Sequence, residues 1–352
     1  MSPQDLSTAD IVESPIEALS GALPERVTFS RNVFIPVTNV CRNACGYCGF
    51  RRDVTDNEAH LMGPDEVDEL LCKAKAAGCT EALFTFGERP YEAPGFRPWL
   101  NALGYDRMVD YLYDLCTRAI AHGILPHSNP GILTFEELEQ LKPVNASMGL
   151  MLETTASVNA HRGCAGKDPE MRLWTIEDAG KLRIPFTTGL LVGIGEDWDD
   201  RIHSLEVLVA LHRRYRHLQE VIIQPFAPKP NTRMAHSMSP GAEILLRTVA
   251  LARHLLPHDV AIQVPPNLTD IIPLLRMGAS DIGGISTITV DYINPEHAWP
   301  DITRLGVTLR ERLPLYPEYV RARWYSAPLA SLVASLADAE GFARQHPTDE
   351  EG

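Results

Sequence analysis

Residues 32–50 read NVFIPVTNVCRNACGYCGF. The first half, Asn32–Thr38, is a short apolar run rich in β-branched side chains and predicts a buried strand. Directly after it, Cys41, Cys45 and Cys48 stand as C-x3-C-x2-C. Three thiolates on one tight loop meet the needs of a [4Fe–4S] cubane that keeps one iron free for a small molecule; a fourth cysteine would close the cluster off as an electron carrier. A structural zinc site wants four ligands, usually as two pairs. No second pair follows here, and the nearest downstream histidine is His60. An odd, clustered trio cannot pair internally as disulfides either.

The rest of the chain bounds the answer. Its 352 residues are 45% hydrophobic and 22% charged, enough to bury a large core. Against 32 basic side chains stand 46 acidic ones, a formal charge of −14 that argues against a nucleic-acid binder. No apolar run is long enough to span a bilayer, and the first residues, MSPQDLSTADIVES, lack the apolar core of a secretory signal. A cytoplasmic location fits, since an exposed reducible cluster needs a reducing compartment. Of the other cysteines, Cys79 and Cys116 read as packing, while Cys72 and Cys164 carry no pattern.

Short apolar runs alternate with amphipathic stretches, the mark of βα units. Expected strands are Asn32–Thr38, Glu81–Phe86, Ile124–Ser128, Ala146–Leu152, Phe186–Val192, Leu218–Gln224, Ala261–Val264 and Asp281–Ile285. Helical spacing fills the intervals, as in Val67, Leu70, Leu71, Ala74 and Ala77. Repeated about eight times, the unit predicts a (β/α)8 TIM-type barrel over residues 26–320. Residues 1–25 read as a flexible arm, and 321–352 as a helical tail whose end, QHPTDEEG, is disordered. The tail from Leu313 is expected to wrap the outside. In such a barrel the working residues sit where strands end. Cys41, Gly87, Glu88, His127, Asn129, Glu153, Gly193, Gly195, Gln224 and Asn267 all fall there.

The cysteine spacing, with the aromatic Tyr47 inside it, resembles the signature of the radical S-adenosylmethionine (SAM) superfamily. The resemblance implies one [4Fe–4S] cluster on Cys41, Cys45 and Cys48, with Tyr47 near the SAM adenine. Gly87 and Glu88, in FGER, resemble the family's Gly-Gly-Glu segment for the SAM amino group, with Phe86 in place of the first glycine; a plain strand-end turn is the alternative. Glu153 is placed like the acidic residue that holds the ribose, though a salt bridge across the barrel mouth would also explain it. Lys167 and Arg172 face the SAM carboxylate or are solvated surface charges. Gly193 and Gly195, in GLLVGIGE, lack dinucleotide-loop spacing and resemble the fifth-strand segment that approaches the adenine. His127 is a proton carrier or a histidine bonded within its loop.

Nine runs carry a narrower likeness: residues 31–53, EALFTFGERP (81–90), LPHSNPG (125–131), ASMGLMLE (146–153), IPFTTGLLVGIGE (184–196), QEVIIQPFAPKP (219–230), QVPPNL (263–268), DIGGIS (281–286) and NPEHAWP (294–300). From about Val27 to Val320 the chain resembles the ring-closing subunit of the 7,8-didemethyl-8-hydroxy-5-deazariboflavin (FO) synthase family. That likeness implies a carbon–nitrogen lyase of deazaflavin biosynthesis. It would convert 5-amino-5-(4-hydroxybenzyl)-6-(D-ribitylimino)-5,6-dihydrouracil to the deazaflavin, releasing ammonia, methionine and 5′-deoxyadenosine. A separate radical SAM partner enzyme would supply the adduct, and an external donor the electron. Polar groups suited to the uracil and ribityl parts are Asn129, Gln224, Asn267, Asp281, Thr287 and Asp291, with Ser286 and Thr289 beside them. The alternatives are a sister enzyme (the tyrosine-using partner or a menaquinone-pathway cyclase) and, from another class, a non-catalytic iron–sulfur or zinc binding module.

Overall fold

The computed structural model describes residues 7–344. Strand β1, Val27–Thr38, alternates buried apolar residues outward with Ser30, Asn32 and Phe34 inward. It pairs in parallel with β2 (Glu81–Phe86), and β3 (Leu125–Asn129), β4 (Ser147–Gly149), β5 (Phe186–Val192), β6 (Leu218–Pro225), β7 (Ala261–Gln263) and β8 (Asp281–Ile285) follow in order. Strand β8 returns to β1 at Thr28–Arg31, so the sheet closes as the expected (β/α)8 barrel. Closure leaves no free edge, which suits a chain whose strands are apolar on their outer faces.

Strand β4 is shorter than the sequence suggested. Regular pairing stops at Gly149, but Leu150 N still donates to Thr187 O (3.0 Å) and Glu153 N to Gly189 O (2.8 Å). This irregular extension delivers Glu153 to the barrel mouth at φ 69°, a left-handed conformation unusual for a glutamate.

Two short helices precede the barrel, α1 (Thr8–Glu13) and α2 (Ile16–Leu19). Around it run α3 (Pro64–Ala76), α4 (Arg97–Ala102), α5 (Met108–Ala121), α6 (Phe135–Leu141), α7 (Pro169–Lys181), α8 (Trp198–Tyr215), α9 (Ala242–Leu255) and α10 (Ile271–Arg276). Local chemistry starts several of them: Pro64 opens α3, and capping boxes Thr134/Glu137 and Asp197/Asp200 open α6 and α8. No helix among the described residues is long and apolar enough to cross a membrane.

Both ends of the chain differ from expectation. The segment read as a loose arm carries α1 and α2 on α9, with Ile11 and Leu19 buried. Arg247 of α9 donates through Nη1 to Ile11 O (3.1 Å) and Ser14 O (2.5 Å). These charge-assisted bonds satisfy carbonyls at the end of α1, which its own turn cannot. Arg247→Met should cost about 2 kcal/mol, concentrated in faster amide exchange over residues 8–19.

The segment expected to wrap the outside instead passes beneath the barrel. Strand β9 (Leu309–Glu311) pairs with Val27–Phe29 of β1, and Arg312–Tyr316 then close the floor. Helices α11 (Pro317–Arg321) and α12 (Ala330–Leu336) cover the bottom through Leu315, Tyr319, Leu329 and Val333, packed with Leu125 and Ala146. The expected disorder of QHPTDEEG, residues 345–352, falls outside the described residues.

At the floor, Arg312 sits among three buried carboxyl groups. Its Nε donates to Asp281 Oδ2 (2.7 Å) and its Nη2 to Asp281 Oδ1 (3.0 Å) and Glu220 Oε2 (3.1 Å). Tyr316 OH donates to Glu220 Oε2 (2.7 Å), and Ser30 bonds Glu81. Burial pushes the Glu81 carboxyl up to about 7, against the pull of Arg312.

Candidate active site at the barrel mouth

The loop after β1 holds the cysteine triplet over the open end. Gly46 N donates to Ala160 O (2.7 Å), Met234 N to Gly46 O (2.9 Å), and Arg233 Nη2 to Ala44 O (3.0 Å). Two separate segments, at Ala160 and at Arg233–Met234, therefore fix this loop by its backbone. Gly87 explains how closely the second strand end approaches: a Cβ there would lie 2.0 Å from Val40 O and 2.7 Å from Cys41 Cβ. No side chain fits, because the obstacle is backbone.

Cys41, Cys45 and Cys48 all line a cavity of about 320 Å3, together with Tyr47, Gly87 and Glu88. Among the described residues no group of three or more His, Cys, Asp or Glu converges as for a single metal ion. A trio of thiols that shares a cavity without converging suits ligands of three different irons better than one zinc. The donor set and the cavity beside it thus fit a [4Fe–4S] cluster with a small-molecule neighbour. Burial pushes the Cys41 thiol up to about 11, against a bond from Asn43 N–H, so loading metal onto it must expel a proton. Cys164, without a reading in the sequence, lies beside Cys45.

Two carboxylates organise the wall. Glu88 accepts from Arg42 Nε (3.1 Å), Asn43 Nδ2 (3.0 Å) and Arg172 Nη1 (3.3 Å), tying the cysteine loop to α7. Glu153 meets Tyr47 OH, Lys167 Nζ and His161 Nε2, the last at 2.9 Å. Burial alone would push its pKa up, but Lys167, His161 and Arg172 outweigh that and hold the carboxyl well below the usual range. Lys167 and Arg172 are therefore buried partners of Glu153 and Glu88, not solvated charges; Arg172 also donates to Met151 O (2.6 Å) and Gly166 O (2.7 Å). Asn43, a spacer position of the cysteine motif, and His161, outside any spaced motif, were not singled out from sequence.

Below this chamber lies a second cavity of about 180 Å3, ending on Arg312 and Pro314. The two share Phe34, Leu83, Asn129, Ile222 and Gln224, so they form one shaft. Asn267 and Asp291 line the lower part. Asp291 is committed to its own loop, accepting from Ile293 N (2.9 Å), Asn294 N (3.1 Å) and Asn267 Nδ2 (2.9 Å). Asn267 Oδ1 is buried without a partner.

Three expectations are corrected by position. Asp281 opens β8 rather than ending it, so it faces Arg312 at the floor and lines neither cavity. Thr287 is exposed and also lies outside both. Gly193 and Gly195 line neither cavity: they adopt φ 98° and 116° beside Pro240 and Val158, while Glu196 accepts from Gly193 N (2.7 Å) and Ile194 N (2.8 Å). Their role is to turn the chain after β5.

His127 lines the lower cavity with a fixed tautomer. Ser147 Oγ spends its one hydrogen on Pro314 O (2.6 Å), so at 2.7 Å it accepts from His127 Nδ1–H. Nε2 is left with a bare lone pair. Burial, aided by Arg312, pushes the imidazole down to about 3 from 6.5. A folded value below the unfolded one means stability is full above 6.5 and is lost as pH falls toward 3. Apo-protein melts across that window should show a steeper acid decline than His127→Asn, by up to one proton.

Comparison with known proteins agrees with this geometry. Residues 35–208 match the radical SAM superfamily model. The 7,8-didemethyl-8-hydroxy-5-deazariboflavin synthase of Methanosarcina mazei is 56% identical, covering 92% of this chain and 98% of its own. The Archaeoglobus fulgidus protein of the same name is 51% identical over 90% and 99%. Among solved structures, HydG, a maturase of the [FeFe]-hydrogenase, superposes with TM-score 0.67 at 14% identity, over 95% of this chain and 77% of that one. Methylornithine synthase (PylB) gives 0.60 at 18%, over 81% and 87%. These two speak for the fold alone. The sequence relatives say more: the chain is a radical SAM enzyme and belongs to the 7,8-didemethyl-8-hydroxy-5-deazariboflavin synthase family.

Proposed function

We propose that this protein closes the third ring of the deazaflavin, acting as an ammonia-releasing lyase on the hydroxybenzyl–ribityliminouracil adduct. The observation that carries this reading is the shaft: the cysteine loop tops one chamber, and a polar second chamber continues beneath it. Cys41, Cys45 and Cys48 would hold one [4Fe–4S] cluster per chain, with SAM beside it along Tyr47, Gly87, Glu88 and Glu153. When bound, cluster and SAM supply a primary carbon radical that takes a hydrogen atom from the substrate, with methionine and 5′-deoxyadenosine as by-products.

The chain's own work is orientation and exclusion of water. Phe34, Leu83 and Ile222 give the shaft an apolar waist. Asn129 and Gln224 reach both chambers and would bond the uracil, while Asn267 would offer its unpartnered Oδ1 to a donor. His127 would accept a proton at Nε2, the nitrogen its Ser147 bond leaves bare. A separate radical SAM partner would deliver the adduct, an external donor would reduce the cluster, and the cytoplasm would supply the reducing surroundings.

Anaerobic turnover of the reconstituted, reduced protein with the partner's adduct should yield deazaflavin fluorescence. Consumption of free tyrosine and the diaminouracil without any partner would assign the chain to the tyrosine-using sister instead.

A further inference from the structure

The lower cavity holds more unsatisfied polar chemistry than the reaction centre needs. Asn32, on β1, is 1% exposed, and its Oδ1 has no hydrogen-bond partner. Gly284 of β8 makes room for it: a Cβ there would lie 2.1 Å from Asn32 Nδ2. Gln263, on β7, lines the same cavity with no side-chain bond to protein, and Gly283 leaves space for its amide, where a Cβ would stand 2.2 Å from Nε2. Strand β8 therefore gives up side-chain volume at two successive positions, beside two amides that have no side-chain hydrogen bond among the described residues. A buried amide oxygen without a partner costs stability, so Asn32, with the half-buried Gln263 amide beside it, suits a ligand that supplies the missing partner.

Beneath the amides the shaft ends on acceptors and hydroxyls: Glu81 with Ser30, Thr187 and Glu220. Above them comes the waist of Phe34, Leu83 and Ile222. The order from the mouth down is cysteine loop, apolar waist, amides, carboxyl floor. A molecule matching that order carries a flat ring in the middle and a chain of hydroxyl groups at its inner end.

Resting on the ring-closure reading, we infer that Asn32 and Gln263 form a polyol subsite, which seats the ribityl chain of the substrate inner end down and leaves the ring to be closed facing the cysteine loop. Amide oxygens and carboxyl groups accept from the hydroxyls, and amide nitrogens donate to them. These two residues then determine specificity for the ribityl chain without touching the reacting atoms. Neither lies in the cysteine-spaced motif.

The test uses two probes on the cluster-loaded protein: the ribityl deazaflavin product, and its analogue with a methyl group replacing the ribityl chain. Equilibrium binding is read by fluorescence. Wild type should prefer the ribityl compound by about a hundredfold or more, and Asn32→Ser and Gln263→Met should each weaken that compound about tenfold while leaving the methyl analogue unchanged. Two variants on different strands guard against one that fails to fold. Equal wild-type affinity for both probes would overturn the subsite, because the amides would then bind only water. Equal weakening of both probes by the variants would overturn it too, marking a structural role. Binding of neither probe by the wild type would instead remove the ring-closure reading itself.

Discussion

Cys45→Ala should leave a folded barrel that has lost SAM cleavage by more than about a thousandfold, a barrier increase above ~4 kcal/mol. Folding survives because the cysteine loop is held through its backbone, at Gly46 by Ala160 and Met234, and at Ala44 by Arg233. Chemistry does not survive, because a cubane with two protein thiolates has lost a fixed corner. The informative control is the neighbour. Cys164→Ala removes a thiol that neighbours Cys45 but stands outside the C-x3-C-x2-C trio, so iron content, sulfide content and SAM cleavage should stay within a few-fold of wild type. If Cys164→Ala loses iron as completely as Cys45→Ala, the protein supplies four ligands, and no iron remains for SAM.

Arg312→Met should destabilise the protein by about 3–5 kcal/mol at neutral pH. Arg312 is 3% exposed and bonds both Asp281 and Glu220, with its guanidinium 4.3 Å from the centre of the Tyr316 ring. Removing the cation strands two buried carboxyl groups. Burial already raises the Glu220 carboxyl against the pull of Arg312, so the variant would raise it further. A raised folded value means that protonation favours the fold; the deficit should shrink as pH falls and be widest above neutrality. Denaturant melts at several pH values check this. Arg312→Met combined with Glu220→Gln should recover part of the loss, since one stranded charge is then gone. A single variant with unchanged stability would mean that the floor carries no net charge coupling.

The barrel was legible because each strand is an apolar run and each helix an amphipathic one, and the closing pair β8–β1 follows from their number. The cysteine loop was legible because spacing is a local property. What stayed hidden is non-local. Arg312 reads as one arginine in a tail, and only the passage of residues 312–316 under the barrel gives it Asp281 and Glu220. Asp281 was expected at the ribityl chain although its expected strand already began there: position along a strand decides which end of the barrel a side chain faces, and the first residue of β8 faces the floor. Asn43 and His161 gain meaning only from Glu88 and Glu153, which come from other strand ends. The docking of α1 and α2 depends on Arg247, more than two hundred positions later.

The pairing of Val27–Phe29 with Leu309–Glu311 sets an order of events during synthesis. A ribosome releases β1 well before the floor segment, so a nascent chain holds Glu81 and Asp281 without Arg312 until residues beyond 311 have emerged. Only then does the shaft acquire its base. The unfinished cylinder is accordingly the stage at which a chaperone has most to protect.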